Sequence, residues 1–493
     1  MDKNKEGNYT KKVAVNTVVQ IIGKIITTAA SLILITALTR YLGVSGYGQY
    51  VTIFSYVSLT AVFADLGFFW IMVREISKSQ DKSYNQKIVN NIMTLRSILG
   101  FFVFLVGFGI AFLIPTYDIT IKLGIGIISI GWFWTTVNST YVGVFQSKHR
   151  MDKATIAEIV GRLIILGLVL IFIKQGLGLA PILWGYTIGN IANFVVSLAL
   201  GWQYVPFKLK FDFDIWKKMF WEALPMGIVL LLGVIYIRID SIILSIIKSP
   251  EDVGIYGAPY KILEILILVS GIFMGNVFPI IARYHNEKNP KIYSAIQKSF
   301  DFLVILGIPI VVGVFLLATP IIRFVAGQQF LDSATIGPIF GHVANSALVL
   351  QFLIFTTGLI YILNIFTNSI VAIGRQRDLI IPNIFIAIVN IVLNVILISK
   401  ISYIGASIVT IVTQAGLIAL AWHILHKYLK DLKISFNIFV KALISAFIMG
   451  LVIYFMGGMN MFAIIALAIV VYFIILYLIG GYNKATIKSF MGK

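Results

Sequence analysis

Four basic residues sit where a membrane-spanning chain can least easily carry them. Lys24, Arg162, Arg238 and Lys261 each fall within a long apolar run, and so do the acids Asp65, Asp240 and Glu264. An ionised side chain at the centre of a helix in hydrocarbon costs at least about 2.5–3.5 kcal/mol, so such groups are expected to face a protein interior or a wet cavity. Lys24 is the most telling. Thr17, Gln20, Lys24, Thr28 and Ser31 recur with the helical period and draw one polar stripe that a lipid-facing helix would not carry. Shorter stripes follow at Ser55, Ser58 and Asp65, at Arg238, Ser241 and Ser245, and at Lys261 and Glu264. Thr357, Tyr361, Asn364 and Asn368, then Asn383, Asn390 and Asn394, continue the pattern. Residues of these types either line a lumen or hydrogen-bond helices together. The inward cations slightly outnumber the inward acids, which suits an anionic ligand. A diphosphate is the group that needs several fixed positive charges in a low dielectric. Asp65, Asp240 and Glu264 are candidates for a coupling proton or Na⁺. Glu158 and Arg162, four apart on one helix, can instead pair with each other. Arg96 and Lys441, at helix starts, are expected to snorkel to the headgroups.

The elements that must hold these residues follow from composition. Of 493 residues, 59% are hydrophobic and only 12% charged, whereas a soluble domain carries about a quarter of its residues as charges. A water-soluble enzyme is excluded. At about 20 apolar residues per crossing, the apolar runs form fourteen candidate helices, the first at 16–39 and the last at 460–481. The segment 331–344, interrupted by Pro338, His342 and two glycines, reads as a re-entrant or interfacial piece. The net charge of +19 reads as a topology signal and not as a nucleic-acid footprint. With the N-terminus inside, 27 of the 39 Lys and Arg residues fall in cytoplasmic segments, six in outer segments and six within helices. That alternation predicts a multi-pass protein of the cell membrane with both termini cytoplasmic. No cleavable signal peptide is expected, because the first apolar run is too long and lacks a small-residue cleavage site.

The longest cytoplasmic link, 204–220, interleaves Phe207, Phe211, Phe213 and Trp216 with Lys and Asp, as a segment in the headgroup layer would. A weak internal repeat relates Gly46-Tyr47-Gly48-Gln49-Tyr50 to Gly254-Ile255-Tyr256-Gly257-Ala258, each opening a helix after a short outer loop. It points to two copies of one bundle. The predicted organisation is a six-helix lobe at 1–203, an interfacial linker at 204–220, a second six-helix lobe at 221–430, and two accessory helices with a cytoplasmic tail at 431–493. There is no Walker loop and no cysteine, hence no built-in ATP engine and no thiolate chemistry. His423 and His426 have no acidic or cysteine neighbours that would make a metal site. No catalytic residue, metal or cofactor is expected.

Arg40-Tyr41-Leu42-Gly43, then Gly46-Tyr47-Gly48-Gln49-Tyr50, then Asp65-Leu66-Gly67 and Arg74, resemble the opening of polysaccharide-biosynthesis proteins. These are the oligosaccharide repeat-unit flippases of the multidrug/oligosaccharidyl-lipid/polysaccharide superfamily. Arg238-Ile239-Asp240, Gly254-Ile255-Tyr256 and Tyr260-Lys261-Ile262-Leu263-Glu264 are similar to the start of that family's second half, and Gly374-Arg375 also fits. The resemblance spans nearly the whole chain through short motifs, departing at 331–344. It implies an all-α polytopic fold with two six-helix lobes around a central cavity plus two accessory helices. It also implies alternating access that carries a lipid-linked oligosaccharide to the outer leaflet, in a monomer surrounded by membrane lipids. Glycosyltransferases and a polymerase of the same pathway are the expected protein partners, and nucleic acid is not. In that frame Lys24, Arg162, Arg238 and Lys261 are candidates to contact the diphosphate, and Arg40 and Arg74 are gate candidates. A cation-coupled exporter of the same fold, or a membrane glycosyltransferase or polymerase, is the competing reading. The exporter predicts a more acidic lumen, the enzyme a sizeable outer loop.

Overall fold

The computed structural model describes residues 3–79, 81–339, 341–456 and 459–482, with side chains from residue 19 onward. The first helix, α1 (Lys3–Asp65), turns sharply at Gly43, whose φ of 70° and ψ of −177° suit a residue without a Cβ. Its second arm breaks again at Leu66 and Gly67, both with positive φ, before continuing as α2 (Phe68–Lys78). There follow α3 (Lys82–Phe112), α4 (Ile119–Ser147), α5 (Met151–Lys174), α6 (Leu179–Gly201) and α7 (Phe213–Ile247). The chain continues through α8 (Pro250–Asn286), α9 (Lys291–Leu316), α10 (Ala318–Val325), α11 (Gln329–Asp332) and α12 (Ser346–Ala372). It ends with α13 (Ile380–Tyr428), α14 (Asn437–Phe455) and α15 (Met461–Leu478). Among the described residues, twelve helical stretches are long and apolar enough to cross a membrane. Two of them are interrupted by non-helical residues, at Gly43 and at Ile401–Ser402, so that counted arm by arm there are fourteen candidate crossings. The fold is that of an all-helical, multi-pass membrane protein.

The segment 331–344 adds no crossing. After α9 the chain makes the eight-residue α10 and the four-residue α11, then a tight turn bridged at Ile339 and His342. Asn345 closes it by capping the amides of Ala347 and Leu348 at 3.0 and 3.2 Å.

The chain forms two compact units, Met1–Gly254 and Ile255–Lys493. In lipid no hydrophobic gain drives helices together, so close approach depends on small residues. The first unit is built that way. A Cβ on Gly23 of α1 would lie 2.1 Å from the Thr155 methyl of α5, and one on Gly161 of α5 would lie 2.8 Å from the Gly189 carbonyl of α6. The two glycine motifs of the internal repeat meet backbone as well. A Cβ on Gly48 would lie 1.6 Å from the Pro250 carbonyl oxygen, and one on Gly254 would lie 2.0 Å from that of Val44. Near Pro225, Gly227 of α7 seats itself against the break in α1, where its Cβ would come within 2.8 Å of the Leu66 oxygen. In the second unit α9, α12, α14 and α15 share a core that includes Phe300, Leu303, Ile365 and Tyr472.

The link into α7 is an extended segment bound to α3. The backbone amides of Lys208, Lys210 and Asp212 donate to the side chains of Asn90, Thr94 and Asn91, and Lys87 pairs with Asp212 at 2.8 Å. Every second amide is thereby satisfied, while Leu209, Phe211 and Phe213 stay exposed. The hydrogen bond from Lys87 holds the Asp212 carboxyl below its ordinary value. A depressed folded-state pKa stabilises the docked link above the ordinary carboxylate range, and that contribution is lost as pH falls through the folded value. Protection against hydrogen exchange across 206–212, taken relative to the intrinsic rate at each pH, should therefore fall on acidification below about pH 4, the ordinary range for aspartate. Lys87→Ala should abolish that step. An unchanged step in the variant would exclude the pair as its origin.

Candidate functional site

Lys24 projects from the first arm of α1 beside the seam that packs on α5. Gly23, Thr27, Ala30 and Leu34 are buried along that seam, while Lys24 and Gln20 are exposed and Thr28 and Ser31 partly so. At 100° per residue the polar stripe lies about 90° round the helix from the seam, between it and an exposed isoleucine face of Ile22, Ile25 and Ile33. Arg162 stands on the partner helix, α5, one residue past Gly161, and is half-buried. Neither cation has a carboxylate partner among the described residues, and the i,i+4 pairing open to Glu158 and Arg162 is not made: Glu158 is exposed.

Beside Arg162 lies an aromatic group drawn from both ends of the unit. Tyr50 donates to the Tyr186 hydroxyl at 2.9 Å, and Tyr47 and Phe54 stack against Tyr50. Arg162 is close enough to act electrostatically on both hydroxyls. Sequence reasoning missed Tyr50 and Tyr186 as a pair, since 136 residues separate them; the only signal was Tyr50 at the end of the glycine motif. The Arg162 guanidinium and the two phenols beside it offer donors, and Lys24 stands on the adjoining helix. Chemically, that set fits a phosphate or sugar hydroxyls.

Several of the other candidate charges meet an opposite charge or a polar group. Arg96 does not snorkel: it is 1% exposed and forms an ion pair with Asp65, with Thr140 at 3.3 Å. The second arm of α1 ends at Asp65 against α3, so the local carboxylate makes burial cheaper than reaching the headgroups. Asp65, a candidate for ion coupling, is thus the counterion of Arg96. Lys441, by contrast, sits at a helix end with its ammonium 2.9 Å from the Gly480 carbonyl.

Arg74 pairs with Glu222 of α7 and, at 3.0 Å, with Glu75, whose other partner is Lys78 at 2.8 Å. That ties α2 to α7, and Glu222 is a residue the sequence reading did not single out. Arg40 is exposed and engaged. On α7, Arg238 is half-buried and Asp240 buried, both in contact with other polar groups.

In the second unit Lys261 pairs with Glu264 at 2.6 Å, so the couple carries no net charge. The polar stripes there are largely hydrogen-bonded inside the protein, some across helices and some along one helix. Asn364 donates to Ser270 at 2.8 Å, Asn390 to Thr413 at 3.2 Å, and Asn394 to Asn390 at 3.0 Å. His426 stacks on Trp422.

A family model described as polysaccharide biosynthesis protein matches residues 10–285, more than half of the chain, and another described as MatE matches residues 225–396. The chain is 22% identical over 315 residues to the probable low-salt glycan biosynthesis flippase Agl15 of Haloferax volcanii. That alignment covers 64% of this chain and only 63% of the relative. Among solved structures, the fold is similar to the lipid II flippase MurJ in an inward closed conformation. The TM-score is 0.76 at 15% identity, covering 95% of this chain and 99% of that one. It is also similar to an inward-facing multidrug resistance MATE family transporter of the MOP superfamily, with TM-score 0.62 at 16% identity over 84% and 99% of the two chains. At these identities the likeness is one of fold.

Proposed function

The chain belongs to the polysaccharide biosynthesis protein family, and we propose that it is a flippase that carries a polyprenyl (di)phosphate-linked oligosaccharide from the cytoplasmic to the outer leaflet by alternating access. The observation that carries this reading is that Lys24 and Arg162, on adjoining helices, each lack a carboxylate partner among the described residues. A lipid-linked sugar cannot cross hydrocarbon unaided, because its phosphates and hydroxyls would shed their water without replacement. Lys24 and Arg162 replace that hydration for the phosphates, and the Tyr50–Tyr186 pair offers hydroxyls beside them. No bond in the substrate changes, so the chain needs binding groups and no catalytic residue. The names of Agl15 and MurJ, each called a flippase, support the same reading.

The inner ends of the crossings, with both termini, lie in the cytoplasm of the cell membrane, as the Lys and Arg bias indicates. Arg74 is the better of the two gate candidates, since its pair with Glu222 can open only if α2 and α7 separate. Asp240, buried on α7, is the first candidate for a coupling proton or Na⁺. Lys261 would reach substrate only by giving up Glu264. Glycosyltransferases and a polymerase of the same pathway are the natural protein partners, supplying and consuming the lipid-linked sugar around a monomeric transporter.

A charge-assisted contact contributes roughly 1.5–3 kcal/mol, so Lys24→Ala and Arg162→Ala should each lower flipping about 10- to 100-fold while the protein still reaches the membrane. Vesicles reconstituted with a fluorescent polyprenyl diphosphate sugar measure this directly. Full activity in both variants would remove the anion site. The match to MatE favours one other reading, a cation-coupled exporter of the same fold. Uptake of an organic cation by the same vesicles, without movement of the lipid, would select it.

A further inference from the structure

Two loops, one in each unit, share a backbone turn and a tyrosine, but not a charge balance. After the fourth crossing, His149 takes a φ of 53°, its amide bonds to Gln146 at 3.1 Å, and the Arg150 amide reaches back to Phe145 at 2.8 Å. After the tenth crossing, Gly374 takes a φ of 76°, its amide bonds to Val371 at 3.0 Å, and the Arg375 amide reaches back to Ile370 at 3.0 Å. Each turn therefore delivers an arginine from the same register. Each arginine meets a tyrosine from later in its own unit: an Arg150 guanidinium nitrogen lies 3.5 Å from the hydroxyl of Tyr204, just past α6, and the Arg375 guanidinium lies over the ring of Tyr428, the last residue of α13, at 4.5 Å. In the first unit Lys153 stacks on Tyr204 at 4.7 Å, and in the second Lys427 lies near the Tyr428 ring at 5.6 Å.

The difference is where the acid falls. In the first loop Asp152, two residues past the arginine, takes Arg150 in two hydrogen bonds of 2.9 Å. In the second loop that register is occupied by Arg377, and the acid comes one residue later. Asp378 accepts from the Tyr428 hydroxyl at 2.5 Å, which holds the ring in place and leaves Arg375 exposed with no ion pair among the described residues. A guanidinium held over an aromatic ring by cation–π attraction keeps its N–H donors available, and a guanidinium edge can take a phosphate in two parallel hydrogen bonds.

We propose that Arg375 on its Tyr428 platform, with Arg377 two residues on in the same exposed loop, forms a receptor for a lipid-borne phosphate, and that the corresponding station at Arg150 is a copy held shut by Asp152. The site is separate from Lys24 and Arg162. The flippase reading enters only in naming its natural ligand, a lipid diphosphate waiting to be carried.

The test uses the full chain in phosphatidylcholine nanodiscs, with calorimetric titration of farnesyl diphosphate in one arm and native mass spectrometry of bound phosphatidylglycerol in the other. Arg377→Asp restores the first loop's register and should cut binding about tenfold or more, as expected when a charge-assisted contact is lost. Arg375→Lys keeps the charge and loses the fork, and should weaken binding nearly as much. Asp152→Asn should open a second site. Loss confined to farnesyl diphosphate identifies the diphosphate lipid as ligand, and loss confined to phosphatidylglycerol identifies bulk phospholipid; either supports the receptor. Equal binding by wild type, Arg377→Asp and Arg375→Lys in both arms overturns it. Because the readout is binding, this result and the outcome of the flipping assay at Lys24 and Arg162 stand or fall separately.

Discussion

Asp65→Leu is expected to lower the stability of the protein by about 3–5 kcal/mol, the range for a buried charge stripped of its partner. Arg96 is 1% exposed, its Nε atom has no acceptor, and its remaining contact, Thr140 at 3.3 Å, is uncharged. A guanidinium cannot escape by losing its proton at ordinary pH, so without Asp65 the charge stays in the bundle. The reciprocal change should be milder. Asp65 keeps 25% of its side chain exposed, so in Arg96→Met the carboxylate can be hydrated or can take up a proton. The double variant Asp65→Leu/Arg96→Met should recover most of the loss, since a buried pair replaced by apolar groups is often neutral. Thermal unfolding of the three purified variants in detergent checks the order. Equal midpoints for Asp65→Leu and wild type would show that the pair contributes no stability.

Gly48→Ala should be the most disruptive single-methyl addition in the first unit. The new carbon would lie 1.6 Å from the Pro250 carbonyl oxygen and 2.9 Å from the Gly254 amide nitrogen, and both are backbone atoms that cannot swing aside. Overpacking against movable side chains costs about 1–3 kcal/mol. Here the α8 start must shift bodily, so the loss should sit at or above that range. Gly109→Ala, on α3 with nothing within 4 Å of the added carbon, is the matched control. It should be neutral or stabilising by up to about 1 kcal/mol, because alanine favours a helix interior. Folded yield and unfolding temperature measure both. A Gly48→Ala protein as stable as the control would refute the close approach.

These two sites also separate what can be read from a chain from what cannot. The glycine motifs at Gly46–Tyr50 and Gly254–Ala258 were visible as a repeat, because similar words recur. That Gly48 and Gly254 are required by backbone contact became visible only once residues 44–50 and 250–254 were placed together. Arg96 was read from its position near a helix start as a snorkelling residue. Position along a helix does not reveal the neighbour on the next one, and Asp65, read alone as a candidate for ion coupling, turned out to be that neighbour. The asparagines of α12 and α13 were open to two readings for the same reason: a polar stripe has the same period whether it faces water or another helix.

The amino-acid sequence by itself determined the crossings, their amphipathic faces and the class of molecule, because hydropathy and helical period are local properties and hydrocarbon forbids an unsatisfied backbone. It also marked Lys24 as a residue that lipid would not tolerate. Tertiary structure alone decided which charges are cancelled. Among the described residues Lys24 and Arg162 have no counter-charge, while Asp65 meets Arg96 of α3, Arg74 meets its neighbour Glu75 and Glu222 of α7, and Lys261 meets Glu264 three residues on. Charge pairing acts over a few ångströms in space, and chain separation says nothing about that distance.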